Sequence, residues 1–437
     1  PGSYQLFIEK FGEKLRDFVE EEGIDLVAVD ARAAWDGVRN WHDPALWRRA
    51  KQEISPAMAP IYGDLVARVL AARQGRSRKC LVLDLDNTLW GGVVGDDGVG
   101  GLVLGQGSAA GESFLALQGY ARDLARRGTI LAVCSKNDEA NAVAAFDKHP
   151  EMLLKRTDVA AFMVNWNDKA SNIQTIAQEL NIGLDSLVFV DDNPVERDFV
   201  RSVLPMVAVP EIPSDPALVP QCLMDAGYFE ATIITNDDLQ RTEQYRANRE
   251  RVQQAAAAPD LQTYLFGLKM QLVWGRFDAE NLQRIVQLIN KTNQFNLMTK
   301  RCTEEEILRF CADPDCLGLH FRLVDKFGDN GIIAVVMGRM DAPLDMIIEN
   351  WLMSCRVIGR QVEKAVLDVF AAQASDLGAQ RLVGVYRATE KNGMVKDHYP
   401  KLGFTPLATN GMARWSLDLQ TYQARLAPIE IVRRMSA

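Results

Sequence analysis

Between residues 80 and 210, short apolar runs alternate with helical patterns, and the longest of these runs stop at polar or acidic residues. Residues 80–83, 130–134, 162–164 and 187–190 are continuous apolar stretches too short for helices, so they read as buried strands. Helical patterns are expected at 113–127, 138–148 and 169–180. This order predicts a parallel, doubly wound sheet with helices on both faces. Ligands of such sheets bind at the strand C-terminal ends. There the sequence places Asp84 and Asp86, Ser135, and Asp191 and Asp192. A packed core has no use for two carboxylates at spacing i, i+2, and burying them unpaired is costly. A hard cation such as Mg2+, held by carboxylates and a substrate phosphate, removes that cost.

The segment Asp84-Leu85-Asp86-Asn87-Thr88 resembles motif I of the haloacid dehalogenase (HAD) superfamily, Asp-x-Asp-x-Thr. The other motifs follow in order at Ser135, Lys169 and Asp191-Asp192. The resemblance implies that Asp84 attacks phosphorus and Asp86 is general acid and base. Ser135 would bond a phosphoryl oxygen, and Lys169 would neutralise phosphate and nucleophile. Asp84, Asp86, Asp191 and Asp192 would hold Mg2+, with Thr88 and Asn137 touching substrate. Singly, these residues fit plain roles: a helix N-cap, a solvated lysine, a turn before Pro194. Found in order on the expected elements, they form a set. The glycine-rich insertion 91–111 reads as a β-hairpin flap. The interval between Asp84 and Ser135 holds too little for a large cap, so the site can admit a bulky or protein-borne substrate.

Upstream, 4–22 reads as a helix with Phe7, Phe11, Leu15 and Phe18 on one face, 26–29 as a short strand and 56–73 as a helix, with Trp35, Trp41 and Trp47 between. No catalytic constellation occurs there. Pro1-Gly2-Ser3 reads as a cloning scar ahead of a segment cut from a longer chain. Pro210, Pro213, Pro216 and Pro220 mark a connecting region, followed by a polar helix at 237–256. A second α/β pattern then runs over 261–420. Strands are expected at 268–273, 317–324, 331–339, 345–353 and 381–385, with helices at 279–290 and 361–377. Asn330-Gly331 signals a hairpin turn.

This second pattern resembles the GNAT (N-acetyltransferase-like) fold. There a strand is followed by Arg/Gln-x-x-Gly-x-Gly/Ala and a helix whose N-terminus binds the coenzyme A pyrophosphate. Arg356-Val357-Ile358-Gly359-Arg360 matches, and Gln361 departs where a small residue is expected. Tyr399-Pro400-Lys401-Leu402-Gly403-Phe404 resembles the family's Tyr-x-x-x-Gly-Phe. The departure argues against acetyl-CoA and fits a pantetheine arm on a carrier protein. Cys355 precedes Arg356 near a helix start, a setting that favours thiolate and makes it a candidate nucleophile. A buried apolar cysteine is the plainer role. Cys80, Cys134, Cys302 and Cys311 read as core. His398 is a candidate base, with a structural histidine as its alternative.

The HAD motif set joined to Ser354-Cys355-Arg356-Val357-x-Gly-Arg is similar to the FkbH-like family, glyceryltransferase/phosphatases of polyketide biosynthesis. The resemblance implies 1,3-bisphosphoglycerate as substrate and a glyceryl thioester on a phosphopantetheinylated acyl carrier protein as product. The acyl group would pass through a Cys355 thioester, with Asn293, Gln294, Asn296, Arg356, Arg360 and His398 binding substrate. The implied fold class is α/β: a HAD-like doubly wound parallel-sheet domain at 76–212 and a GNAT-like α/β domain at 261–437. A connecting segment at 213–260 joins them, and 1–75 is a short N-terminal α/β remnant resembling the tail of an SGNH hydrolase. One alternative is a stand-alone HAD phosphatase acting on a small phosphate ester. Another is a CoA-dependent acetyltransferase with a vestigial HAD domain, which the intact acidic set argues against.

The 437 residues are 48% apolar and carry a formal charge of −9. That balance argues against broad binding to nucleic acid or anionic membrane. Seven Cys lack C-x-x-C spacing and four His lack H-E-x-x-H, so a reduced, cytoplasmic, zinc-free protein is expected. No apolar run reaches transmembrane length, and no secretory signal is visible.

Overall fold

The structure, a computed structural model, describes residues 3–434 apart from 23, 28, 30–31, 34–36, 38–40, 232–233, 235–243, 245–246, 249, 252–253, 256, 342–343, 408–411 and 426, and apart from the side chains of Gln5, Glu20 and Cys355. The chain divides into two units, 1–77 with 230–232, and 78–229 with 233–437.

The first unit contains helices Tyr4–Glu21, Pro44–Ala50 and Ala59–Arg73. Asp43 caps the second, accepting from the N–H groups of Ala45 and Leu46. Phe7, Phe11, Leu15 and Phe18 are exposed. Leu26 and Val27 lie in irregular chain, so the strand expected at 26–29 does not form at its described residues. Trp35 lies outside the described residues.

The second unit begins with strands β1 (Cys80–Leu83), β2 (Ile130–Ser135), β3 (Val159–Val164) and β4 (Leu187–Val190). Their order is β3-β2-β1-β4, parallel throughout. Leu81, Leu83, Leu131 and Val133 face one core, shared with Phe114 and Leu117 of helix Ala109–Arg126 and Phe146 of helix Glu139–Lys148. Cys80, Val82, Ala132 and Cys134 face the other, against Ile173 and Ile176 of helix Lys169–Glu179 and Val200 of helix Pro194–Val203. Both faces are covered, which is why these strands are apolar without alternation. Val219, Leu223 and Phe229 join the first core. The chain therefore packs on this sheet past residue 212, where the sequence suggested a connection.

Residues 91–111 do not form a hairpin. Only Gly91 and Val103 pair, and between them runs a helix, Val94–Gly101, kinked at Gly98 with φ +66. Asp97 accepts from the Val93 N–H (2.8 Å) and Asp86 from the Val94 N–H (3.1 Å). These local side-chain acceptors satisfy the helix start and compete with a strand ladder.

The remaining strands are β5 (Met270–Arg276), β6 (Cys316–Asp325), β7 (Gly328–Asp341), β8 (Asp345–Met353), β9 (Arg381–Tyr386), β10 (Thr405–Leu407), β11 (Ala413–Asp418) and β12 (Ile429–Arg433). They form one mixed sheet, β10-β11-β9-β8-β7-β6-β5-β12. β5 through β8 pair antiparallel, and helix Val362–Asp376 makes the crossover to β9, which lies parallel to β8. The β6–β7 turn is Lys326-Phe327, since Asp325 pairs with Gly328. Asn330 is buried instead and donates to the Leu323 carbonyl (3.2 Å) and to Asp325 (3.3 Å). Gly331, at φ +69, lies where the β6–β7 register shifts, so the Asn-Gly pair serves a bulge. Cys311, expected in the core, is exposed. Most of the polar helix expected at 237–256 lies outside the described residues. Among the described residues no helix is long and apolar enough to cross a membrane.

Candidate active site

Asp84 follows β1, and its N–H continues the β4 pairing onto the Val190 carbonyl (3.0 Å). That register sets Asp84 beside Asp191. Lys169 is the first residue of its helix, whose N-cap Asp168 accepts from the Ser171 N–H (2.8 Å). From there the buried ammonium reaches Asp84 Oδ1 (2.9 Å) and pairs with Asp191. Asp192 is steered by Thr88, whose Oγ1 accepts the Asp192 N–H (3.1 Å) and lies 3.5 Å from its Oδ1. Carboxylate oxygens of Asp84, Asp191 and Asp192 come within 4.8 Å of one another. Burial first, then the Asp84 charge, raises the Asp191 pKa, and Lys169 opposes this only in part. The same causes raise Asp192. Burial would lower the Lys169 pKa, but Asp84 and Asp191 outweigh it and hold the ammonium charged. Three crowded carboxylates against one ammonium leave the site short of positive charge, and all-oxygen donors suit a hard divalent cation.

Asp86 was expected among the metal ligands, but its carboxylate turns away from that group. Oδ1 accepts from Trp90 Nε1 (2.8 Å) and the Val94 N–H (3.1 Å), and Oδ2 from Asn137 Nδ2 (2.8 Å). Burial raises its pKa, and the Val94, Trp90 and Asn137 donors restrain that rise. A carboxyl tuned upward on a strand-end loop suits proton transfer. Asn137, expected to touch substrate, directs its amide to Asp86 and its carbonyl to the Asp138 N–H (2.9 Å). Ser135 is buried at the end of β2, on the same edge. Beside Thr88 and Asp192 opens a cavity of about 420 Å³, walled partly by Ile212 and Pro213 of the proline-rich segment. Two positioning residues escaped the sequence reading. Trp90 orients Asp86, and Arg197 Nη1 donates to the carbonyls of Asp191 (2.9 Å) and Asp192 (2.8 Å). Trp90 lies in the stretch Leu89-Trp90-Gly91-Gly92 that follows Asp84–Thr88, and Arg197 in a helix past Pro194, and neither side chain carries a chemistry that spacing could signal.

A second cavity, of about 330 Å³, opens at the opposite edge of the same sheet. Lys79, Ile130 and Ser186 line it from the strand starts, and Asn293, Gln294, Ser354 and Arg356 from the mixed-sheet portion. Because the strands are parallel, their starts all lie on the edge away from Asp84. From Lys79 to Asp84 the chain covers ~16 Å at ~3.3 Å per residue. Ser354 and Arg356 flank Cys355, whose side chain lies outside the described residues. Arg356 Nε donates to Ser354 Oγ (3.1 Å).

Three residues expected to bind substrate do not line this cleft. Asn296 is buried and holds its own loop, donating to the Thr292 carbonyl (3.1 Å) and accepting from Thr299 (2.7 Å). Arg360 is buried against Asp325 (3.1 Å), Asn248 (2.8 Å) and the Arg356 carbonyl (2.7 Å). Burial, and then Arg251, push its pKa down to about 10. His398 packs edge-on to Trp351 and Phe295, with centroids 4.5 and 5.1 Å away. Burial, aided by Lys401, pushes its pKa down to about 3, so it is a neutral core ring.

β8 and β9 pair only from Asp345–Ile348 onto Arg381–Gly384 and then part. Phe295–Leu297 fills the parting. The Leu297 N–H donates to the Trp351 carbonyl (3.0 Å), Met353 to Phe295 (3.0 Å), and Arg387 to Leu297 (2.9 Å). The open strand edge, which an extended ligand could pair with, is thus taken by the chain itself.

With the two sheets and the strand-end carboxylates in place, the chain's class is defined: an α/β protein that joins a doubly wound parallel sheet to a larger mixed sheet. In particular, it is similar to the N-terminal part of the protein BF1531 from Bacteroides fragilis, which contains a phosphatase domain and was crystallised with Mg. Identity is 40% over 53% of this chain, with a TM-score of 0.49. This chain spans 62% of that one. The GNAT domain of S. lividans PAT aligns at 18% identity over 33% of this chain and 89% of its own, with a TM-score of 0.27. The ribosomal-protein-S18-alanine N-acetyltransferase from Escherichia coli aligns at 13% identity over 36% and 99%, also at 0.27. No family model and no curated protein matches this chain.

Proposed function

We propose that this chain is a glyceryltransferase/phosphatase that uses 1,3-bisphosphoglycerate and delivers a glyceryl thioester to the pantetheine thiol of an acyl carrier protein. The observation that carries the reading is the convergence of Asp84, Lys169, Asp191 and Asp192 at one strand-end edge, with Asp86 held apart on its own donors. Asp84, Asp191 and Asp192 would hold Mg2+, which would supply charge neutralisation to the phosphoryl oxygens. Asp84 attacks phosphorus of the C3 ester as the bond from phosphorus to the C3 oxygen breaks, and Asp86 protonates the departing oxygen. A water, deprotonated by Asp86, then releases phosphate from the aspartyl group. Lys169 balances charge at the nucleophile.

Acyl transfer belongs to the opposite edge. The Cys355 thiolate attacks C1 of the acyl phosphate, inorganic phosphate leaves, and a thioester forms. The carrier thiol then displaces Cys355 with loss of its proton. The two edges lie ~16 Å apart, too far for a three-carbon substrate to meet both sites in one pose, so the acyl group changes site between steps. Arg360, folded inside its own loop, is withheld from a pyrophosphate, which favours a pantetheine arm over coenzyme A.

Intact-mass spectrometry after mixing with 1,3-bisphosphoglycerate, Mg2+ and phosphopantetheinylated carrier protein tests the reading. A glyceryl adduct on the parent that passes to the carrier, and no adduct on Cys355→Ala, is expected. Carrier loading by Cys355→Ala at the parental rate would refute the thioester step. Phosphate release with no adduct on either protein would leave a stand-alone phosphatase.

A further inference from the structure

The cavity beside Thr88 and Asp192 is larger and more apolar than a three-carbon substrate requires. Its volume is about 420 Å³. Cavities of that size hold a whole drug-sized molecule, and a three-carbon acid is far smaller. Phe114 and Leu117 of helix Ala109–Arg126 form one wall, and Ile212, Pro213, Pro216 and Val219 another. These side chains offer no hydrogen bond to a hydroxyl or carboxylate, so a glyceryl group alone would leave its polar atoms unpaired against them. Asp192, a candidate metal ligand, lines the same space, so a group held there stays beside the phosphoryl centre. Arg197 lines it too. Its Nη1 donates to the Asp191 and Asp192 carbonyls and its Nη2 pairs with Glu211, but Nε is buried with no acceptor among the described residues. A buried donor left unpaired is costly, and a ligand carbonyl would satisfy it. Between Asp84 and Ser135 the chain forms helices Val94–Gly101 and Ala109–Arg126, and the second packs on the sheet, so this insertion supplies no cap domain to shut out a long substrate.

We infer that this cavity is the leaving-group recess of the carboxylate site and that it takes a pantetheine thioester, so that a phosphoglyceryl group is dephosphorylated while joined to the carrier's arm. The identity of the arm rests on the acyl-transfer reading above. Pantetheine combines methylene and methyl carbons, which the apolar walls accept, with amide carbonyls, of which one can accept from Arg197 Nε. The ~16 Å between the two sheet edges points the same way. An acyl group bonded to Cys355 cannot bring its C3 phosphate to Asp84, whereas a loaded arm can travel between the edges. In the step, Asp84 attacks phosphorus, the bond from phosphorus to the C3 oxygen breaks, and Asp86 gives its proton to that oxygen. Water then releases inorganic phosphate from Asp84, and the thioester bond is untouched. Loss of phosphate from the free donor is the slower route, because the small ester leaves most of the recess unfilled.

Phosphate release by the full chain with Mg2+ tests this on the S-methyl and S-pantetheine thioesters of 3-phosphoglyceric acid, which differ only in the arm, with the thioester followed by mass spectrometry. The pantetheine thioester is expected to have a kcat/KM about tenfold higher or more. Ile212→Trp and Ser214→Trp place a large side chain at residues that line the recess, and each is expected to cut that ratio about fivefold or more. Thermal melting of each variant establishes that it is folded. Equal kcat/KM for the two esters overturns the assignment and leaves the phosphatase reading standing. A preference undiminished in both tryptophan variants overturns it too, because the arm then lies elsewhere. Absence of phosphate release from either ester refutes the phosphatase reading, and the recess with it.

Discussion

Replacing Lys169 with alanine tests whether the carboxylate site is short of positive charge. The Lys169 ammonium is 3% exposed, lies 2.9 Å from Asp84 and pairs with Asp191. Removing one partner of a buried ion pair costs about 3–5 kcal/mol, because the remaining charges stay buried and uncompensated. Here the buried carboxylates of Asp84 and Asp191 would face each other, with the exposed Asp192 beside them, after loss of the ammonium that pairs with both. For a body the size of this doubly wound domain, each kcal/mol shifts Tm by about 2–4 °C, so a fall of about 10 °C is expected without divalent cation. Mg2+ would then stabilise the variant more than the parent, since its ligands no longer share their charge with an ammonium. At 100-fold over Kd, binding to the folded state is worth about 2.7 kcal/mol. The assay is thermal melting with and without Mg2+, paired with p-nitrophenyl phosphate hydrolysis, which should fall by about a hundredfold or more. A variant melting within a degree or two of the parent without Mg2+ would refute the argument. So would a Mg2+ gain no larger than the parent's.

Three further outcomes follow from the same geometry. Asn137→Ala removes a donor that holds the Asp86 pKa down; that pKa should rise, moving the alkaline limb of the phosphatase pH profile upward, and an unmoved limb would count against Asp86 as the acid. The His398 pKa in the folded chain is about 3 against an ordinary 6.5, so the unfolded chain binds the extra proton first. Its contribution to stability is complete above pH 6.5 and is lost at about 1.4 kcal/mol per pH unit below it, and His398→Phe should flatten that slope in acid unfolding followed by tryptophan fluorescence. Asp325 is buried and bonded by Arg251 (2.7 and 2.8 Å) and Arg360 (3.1 Å), so Asp325→Asn should cost about 3–5 kcal/mol in urea unfolding; a loss under 1 kcal/mol would show that the two guanidinium groups are compensated otherwise.

Much of the architecture was legible because both sheets obey simple periodicities. β1 to β4 are covered on both faces and read as unbroken apolar runs, and Asp84, Ser135, Lys169 and Asp191 follow where chain direction requires them. The misreadings have local causes. Glycines and valines at 91–111 suggested a hairpin, but Asp86 and Asp97 bond the backbone there and start a helix. Asn330-Gly331 suggested a turn, yet Asn330 is drawn inside by Asp325 and the Leu323 carbonyl.

Order along the chain thus determined which side chains stand at which strand end, because a parallel sheet puts every strand's last residue on one edge. Only the tertiary structure decided where those side chains point and what meets them. It turned Asp86 away from the other carboxylates through bonds to Trp90 and Asn137, and sealed Arg360 and His398 in the interior. It also gathered Lys79, Lys291 and Arg356 from segments far apart in sequence into one cleft at the far edge of the sheet. Direction and burial of long polar side chains depend on partners that spacing along the chain does not encode.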